Sequence, residues 1–280
     1  MKRRIDYINI LLILLIIGGI IIGLSPFVER IYDGYKQEDI IEFFFDQVDK
    51  REIANLKEKK SKAQAYNQGL ASRYDNKNVY INIEKFSGEY KPTLIASNGV
   101  MGVVSLPKIN ERLPIYPGVS EEQLYKGVGH WPFTSLPIGG KNTHSVLTTH
   151  SGIPDKKLFT DLEKMEEGDL LYLENIFGSL VYQVDQIKVV KPNDFSEIAI
   201  LKDRDLITLL TCTPYGVNSH RLLVRATRLE VGQGEVGLRV NSMETTNKLF
   251  SLVLILAILL IALINIYRLI NYGLMQAYLK

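Results

Sequence analysis

The chain is poor in the residues from which disulfides, metal sites and nucleotide sites are built. Its 280 residues include one cysteine, Cys212, and four histidines. A single thiol excludes an internal disulfide framework. No carboxylate or His/Cys group has metal-ligand spacing, and neither a Gly-x-Gly-x-x-Gly sequence nor a phosphate loop occurs. We therefore predict no metal and no cofactor.

A strong charge of either sign is also lacking. The formal net charge is +2. Five basic residues and one acid lie near the termini: Lys2, Arg3, Arg4, Arg268 and Lys280, and Asp6. Without them, the central part has a net charge of about −2, from 28 basic and 30 acidic residues. Nucleic-acid binding normally requires a basic surface, so we do not expect a nucleic-acid partner.

Two long uncharged apolar runs stand near the ends of the chain. Ile8–Leu24 follows three basic residues, and Leu249–Ile266 precedes Arg268. Each run is long enough to span a bilayer. A cleaved signal peptide is the alternative for the first run, but no small-residue cleavage site follows it, so we expect a retained anchor. The basic amino end predicts that both termini are cytoplasmic and that the central domain is extracellular.

The central part changes character near residue 70. Gln37–Leu70 lacks proline and is rich in helix formers, which predicts one or two helices. From Gly99 onward, short apolar runs are bounded by proline and glycine, which is typical of an all-β domain. The strands that we expect are Val100–Leu106, Leu113–Tyr116, Ser145–Thr149, Asp169–Leu173, Leu180–Lys191, Leu206–Cys212 and Arg221–Glu230. Helical turns are expected at Ser120–Lys126 and Lys157–Lys164.

These patterns predict a mainly β fold, a closed β-barrel of about eight strands with short helices. An amino-terminal helical segment and a transmembrane helix at each end complete it. The predicted divisions are an anchor at 1–26, a helical segment at 27–98, a catalytic barrel at 99–230, a linker at 231–248, and a second membrane helix with its tail at 249–280.

Cys212 ends a predicted strand, and Arg221 begins the next one. If the two strands form a hairpin, residues 212 and 221 lie about 5 Å apart at Cβ. Arginine stays protonated and offers a rigid fork of donors to a developing negative oxygen. Arg225 lies on the same face by the two-residue period and is the alternative cation.

A cysteine nucleophile needs a base or a compensating charge, because a thiol in water is only a few per cent ionised at neutral pH. His150 ends an apolar strand and opens into Ser151-Gly152, a position from which a side chain can project into a site. The other three histidines, His130, His144 and His220, are expected to be structural, although His220 adjoins the site and could tune it.

The residues around Cys212 resemble the signature of sortases, in particular class C, the pilin-polymerising group. The stretch that carries the resemblance is Thr208-Leu209-Leu210-Thr211-Cys212-Thr213-Pro214-Tyr215-Gly216-Val217-Asn218-Ser219-His220-Arg221. Leu147-Thr148-Thr149-His150-Ser151-Gly152 followed by Lys157-Leu158-Phe159 resembles the histidine motif of that family.

The resemblance implies a sortase-type barrel with Cys212 as nucleophile, His150 as general acid and base, and Arg221 as oxyanion or substrate contact. Thr211 is a weaker candidate for substrate binding, since a strand threonine needs no such role. Sortases cleave a Leu-Pro-x-Thr-Gly-like signal between threonine and glycine through a thioester. Class C enzymes pass the acyl group to a lysine of another pilin subunit in a Gram-positive-type envelope.

Two alternatives stay open. One is transfer of surface proteins to a peptidoglycan-precursor amine, and the other is an idle scaffold for envelope assembly. The chain also departs from class C in one respect, because no Asp-Pro-aromatic lid motif occurs between Asn67 and Asn98. We therefore expect an open or differently closed active site.

Overall fold

The computed structural model describes residues 7–49, 53–74, 94–96 and 98–230. The predicted linker, the second apolar run and the stretch in which a lid motif was sought between residues 75 and 93 lie outside these ranges. The larger compact unit, Tyr32–Val240, contains the barrel, and the part of the first helix before Tyr32 belongs to a separate unit.

Two helices precede the barrel. Helix α1 spans Tyr7–Asp49 and helix α2 spans Ile53–Tyr74, which confirms the one or two helices predicted within Gln37–Leu70. Ile41 and Phe44 of α1 are fully buried in the main core. Within the described ranges, no helix combines the length and the apolar character that crossing a membrane requires.

Helix α2 is fixed to the barrel unit by one face. Ala63, Asn67 and Leu70, spaced by four and three residues, are buried, as one helical stripe should be. The Asn67 side-chain amide donates to the carbonyl of Leu136 at 3.1 Å and accepts from its backbone N–H at 2.7 Å. The helix therefore binds the backbone N–H and carbonyl of Leu136, a residue that lies outside the strands.

Eight strands form a closed barrel, as predicted. Their bounds are Gly102–Leu106 (β1), Glu111–Pro117 (β2), Val128–His130 (β3), Thr143–Thr148 (β4), Leu170–Asn175 (β5), Gly178–Val190 (β6), Asp205–Thr213 (β7) and His220–Leu229 (β8). The order around the barrel is β1-β2-β3-β4-β7-β8-β6-β5. The pairs β2/β3 and β4/β7 are parallel, and the other pairs are antiparallel.

The order of the strands determines which residues can meet. Strand β7 lies between β4 and β8, so the end of β7 is flanked by the end of β4 and the start of β8. The core fills the interior, where Ile207 and Leu209 of β7 pack with Leu222 and Val224 of β8. A smaller apolar cluster of Val146, Ile198, Leu210 and Leu223 lies on the other face of these strands.

The local predictions were incomplete at two places. Strand β3 was not predicted, because it is only three residues long and contains a glycine. The helical turn expected over Lys157–Lys164 is confined to a 3₁₀ turn at Leu162–Lys164. Leu158 has a φ of +44°, which is outside the right-handed helical region and prevents a regular helix from starting earlier.

Candidate active site

Cys212 and Arg221 are direct neighbours across the β7–β8 hairpin. This confirms the pairing that the sequence predicts. In an antiparallel pair, the Cβ atoms of opposed residues lie about 5 Å apart and their side chains share one face. The thiol and the guanidinium are therefore carried side by side, and the thiol is half-buried.

His150 lies two residues past the end of β4, on the other side of β7. The parallel register pairs Thr148 with Leu210, and it continues beyond the strand, because the Thr149 N–H donates to the Leu210 carbonyl at 3.4 Å. Continuing that register places position 150 opposite Cys212. The structure therefore brings positions 150, 212 and 221 into one row across three adjacent chain segments.

This row lies on the outer face of the barrel wall. Leu210 and Leu223, a register pair two residues before the Cys212–Arg221 pair, belong to the outer apolar cluster. Side chains alternate between faces along a strand, so the Cys212 side chain points to the same outer face. Thr211 points inward.

Thr211 holds the segment that carries His150. It is 2% exposed, and its hydroxyl donates to the Thr149 carbonyl at 2.8 Å. Ser151, on the other side of the histidine, donates through its hydroxyl to the Cys212 carbonyl at 2.7 Å. The residues on both sides of His150 are thus tied to β7.

The connections after β4 and β7 enclose a small pocket beside the thiol. Its volume is about 220 Å³, including space open to solvent. The lining residues are Ser151, Phe159, Thr160, Glu163, Thr211, Cys212, Thr213, Tyr215 and Leu222. Gly152 adopts a φ of +78°, and a Cβ there would lie 3.2 Å from the Tyr215 ring, so only glycine fits this close approach without strain.

Ion pairs attach the β4–β5 connection to α1 and to β2. The ammonium of Lys156 contacts the Asp33 carboxylate of α1. The ammonium of Lys157 lies 2.7 Å from Glu111 of β2 and 3.5 Å from Asp161. Burial raises the pKa of Glu111 to about 7, against the opposing effect of Lys157. The loop that follows His150 is thus attached to both α1 and the barrel.

The two candidate cations have different partners. The Arg221 guanidinium donates to the backbone carbonyls of Asn218 at 3.2 Å and His220 at 3.0 Å. Arg225 donates to the Asp185 carboxylate at 2.9 and 3.3 Å, and it pairs in register with Thr208 instead of Cys212. Position and partners therefore favour Arg221 as the cation of the site.

His130 and His144 are held as neutral, structural side chains. Burial lowers the pKa of each to about 4. The His130 ring donates through Nε2 to the Ser135 carbonyl at 2.9 Å. The His144 ring donates through Nδ1 to the Ala199 carbonyl at 2.8 Å, so its Nε2 accepts from the Thr208 hydroxyl at 2.7 Å. His220 is exposed and contacts Ser219.

One residue near His150, Glu121, was not predicted from the sequence. Helix α3, Glu121–Lys126, lies between β2 and β3 in the sequence. A carboxylate oxygen of Glu121, its first residue, lies 2.9 Å from His150 Nε2. The helix is six residues long, and only the fold brings it to the end of β4. Among the described residues, no group of three or more His, Cys, Asp or Glu side chains could hold a metal ion.

Comparisons with known proteins all identify sortases as relatives of this chain. A family model described as "Sortase domain" matches residues 104–229. Crystal structures of Streptococcus agalactiae sortase C1 and Streptococcus pneumoniae sortase C are each 42% identical to this chain. The first covers 70% of this chain and 98% of its own, with a TM-score of 0.64, and the second covers 69% and 97%, with a TM-score of 0.62.

Curated relatives are more distant. Sortase D of Bacillus subtilis is 32% identical over 41% of this chain, and the match spans only 54% of that relative's length. Sortase A of Bacillus anthracis is 26% identical over 80% of this chain and 94% of its own length.

Proposed function

Because the chain belongs to the sortase family, class C, and is a cysteine transpeptidase of that type, we propose that it polymerises pilin subunits. It cleaves a Leu-Pro-x-Thr-Gly-like signal between threonine and glycine, holds the threonine acyl group on Cys212, and passes it to a pilin lysine amine. The observation that carries this proposal is the row of positions 150, 212 and 221 across β4, β7 and β8. The similarity to pilus-related sortase C structures supports the choice of acceptor.

In the first half-reaction, His150 takes the proton of the Cys212 thiol, the sulfur attacks the threonine carbonyl carbon, and the Thr–Gly bond breaks. The carbonyl oxygen becomes negative in the tetrahedral intermediate, and Arg221 is the donor placed beside it. His150 gives a proton to the leaving glycine amine, which departs with the rest of the signal. The product is a thioester between threonine and Cys212.

In the second half-reaction, the lysine amine attacks the thioester carbonyl. His150 takes the proton that the amine loses and gives it to the Cys212 sulfur as the sulfur leaves. An amide bond then joins the two subunits, and the thiol and imidazole return to their starting states. The pocket beside Cys212 is lined by residues of the connections that follow β4 and β7. We assign it to the binding of one of the two substrates.

We also place the chain in the cell membrane of a Gram-positive-type envelope, with two spans and both termini in the cytoplasm. This proposal rests on the apolar runs Ile8–Leu24 and Leu249–Ile266 and on the basic residues before the first run. The barrel then lies outside the cell, where pilins and other surface proteins with sorting signals are found.

Incubation of the purified full chain with a pilin that carries its sorting signal tests the proposal. We expect a ladder of covalently linked pilins with the wild-type chain and none with Cys212→Ala. A thioester on Cys212 without a ladder would instead favour transfer to a peptidoglycan-precursor amine. Pilus formation by cells that carry Cys212→Ala would favour the scaffold alternative and refute the enzymatic proposal.

A further inference from the structure

A carboxylate next to the proposed general acid and base has no role in the three-residue site described above. Oε1 of Glu121 lies 2.9 Å from His150 Nε2. The oxygen is not aligned with the ring N–H direction, and Nε2 has no hydrogen-bond partner among the described residues. Catalytic hydrogen bonds are often poorly aligned without substrate and improve in the reacting complex.

The backbone of α3 is anchored to the segment that carries His150. The Thr149 hydroxyl lies 2.8 Å from the Leu124 carbonyl and 2.7 Å from the Gly127 carbonyl, both at the end of α3. Thr149 directly precedes His150. The helix and the histidine therefore keep a fixed relation, although the Glu121 side chain itself is 84% exposed.

The barrel order separates the two neighbours of His150. Helix α3 leads into β3, and β3 flanks β4 on the side opposite β7. Glu121 therefore approaches His150 from the β3 side, whereas Cys212 approaches from the β7 side. A neutral imidazole carries one proton, and the nitrogen that faces a carboxylate is the one that keeps it.

We propose that Glu121 is a positioning residue for His150: its carboxylate holds Nε2 in the protonated form and leaves Nδ1 to exchange a proton with Cys212 and the substrate. This is the arrangement of a nucleophile, a base and a third group that orients the base. The inference rests on the proposed function, because it assigns to His150 the role of proton carrier.

The neighbouring Glu122 is a matched control. It is the next acidic residue of the same helix, and its carboxylate pairs with Lys126 at 2.6 Å instead of with the histidine. We expect Glu121→Ala to lower kcat/KM for a sorting-signal peptide by about two- to fivefold, the range for an exposed ionic contact. Glu122→Ala should leave it unchanged.

The tautomer of the His150 ring distinguishes the proposed role of Glu121 from a purely structural one, because a purely structural role of Glu121 would leave the tautomer unchanged. Nitrogen-15 NMR of labelled histidine at alkaline pH, assigned with His150→Gln, should show the Nε2–H form in the wild-type chain and in Glu122→Ala. Glu121→Ala should shift the ring toward a mixture of both forms. An unchanged tautomer, an unchanged kcat/KM, or the same change in both variants would overturn the proposal.

The two claims can fail separately. A wild-type chain that turns over no sorting-signal peptide would refute the proposed function, and the tautomer comparison would then decide alone whether Glu121 orients the ring. A wild-type chain that is active, with Glu121→Ala equal to Glu122→Ala in both measurements, would refute only the role of Glu121.

Discussion

At the scale of single residues, the two arginines of β8 differ in what they contact. Arg221 is the register partner of Cys212 and donates to the backbone carbonyls of Asn218 and His220, whereas Arg225 is bound to the Asp185 carboxylate. Both lie on the same face of one strand. Their side chains are therefore chemically identical but have different partners, and substitution should affect different properties of the protein.

We expect Arg221→Gln to reduce kcat about a hundredfold with little change in stability, because one donor to the oxyanion is lost. Arg225→Gln should instead destabilise the fold by about 1–3 kcal/mol, because Asp185 loses a charged hydrogen-bond partner. Steady-state kinetics and chemical unfolding of both variants measure the two effects. Equal kinetic losses in the two variants would contradict the assignment of Arg221.

The sequence predicted contacts between site residues that are close in the chain better than contacts between residues that are far apart in it. Cys212 and Arg221 are joined by one short loop, so strand alternation was sufficient to pair them. The role of His150 required the family resemblance, because its meeting with β7 depends on a parallel pairing between strands about 60 residues apart. Glu121 was missed because no local pattern connects the start of a short helix to a histidine on a later strand.

At the scale of elements, the β4–β5 connection is attached to β2 by a partly buried ion cluster. Glu111 of β2 faces Lys157 of that connection, and burial raises the pKa of Glu111 to about 7. The folded chain therefore keeps the Glu111 proton up to about pH 7, whereas the unfolded chain releases it near the ordinary glutamate value of 4.5. Binding of this proton therefore stabilises the folded state. This contribution to the free energy of unfolding is fully present below pH 4.5 and is lost as the pH rises through about 7.

The variant Glu111→Gln cannot release a proton at this position. We expect the unfolding free energy of the wild-type chain, relative to this variant, to fall by roughly 2–3 kcal/mol between pH 4.5 and pH 8. Urea unfolding followed by the fluorescence of Trp131, the sole tryptophan, measures the difference. Glu167→Gln, which replaces an exposed carboxylate, is the control. A difference that is constant over this range would contradict the account.

The elements also show where sequence patterns were insufficient. Short apolar runs bounded by proline and glycine predicted the strands that form most of the barrel. Strand β3 and the irregular β4–β5 connection are determined by tertiary contacts, such as the pairing of β3 with β2 and β4 and the ion pairs of Lys156 and Lys157. Such contacts join residues that are distant in the sequence, so no local propensity reveals them.

At the scale of the whole molecule, the proposed location can be tested with the single thiol. Cys212 is the only cysteine of the chain and is half-buried. A membrane-impermeant maleimide applied to intact cells should label the chain if the barrel is outside. We expect labelling of the wild-type chain and none of Cys212→Ala.

A thiol that is labelled only after the cells are opened would contradict the proposed orientation. The apolar runs on which the orientation rests are sequence features, and the second lies outside the described residues. The labelling therefore tests a proposal that is separate from the chemistry of the site.

The central claim is that the thiol of Cys212, assisted by His150 and Arg221, forms a thioester with the threonine of a sorting signal. Peptide mapping by mass spectrometry, after acid quenching of the full chain with a sorting-signal substrate, tests it most directly. We predict an acyl group that ends in threonine on the peptide containing Cys212, greatly reduced in His150→Ala and Arg221→Ala. An unmodified Cys212 during substrate cleavage, or an acyl group on another residue, would contradict the claim.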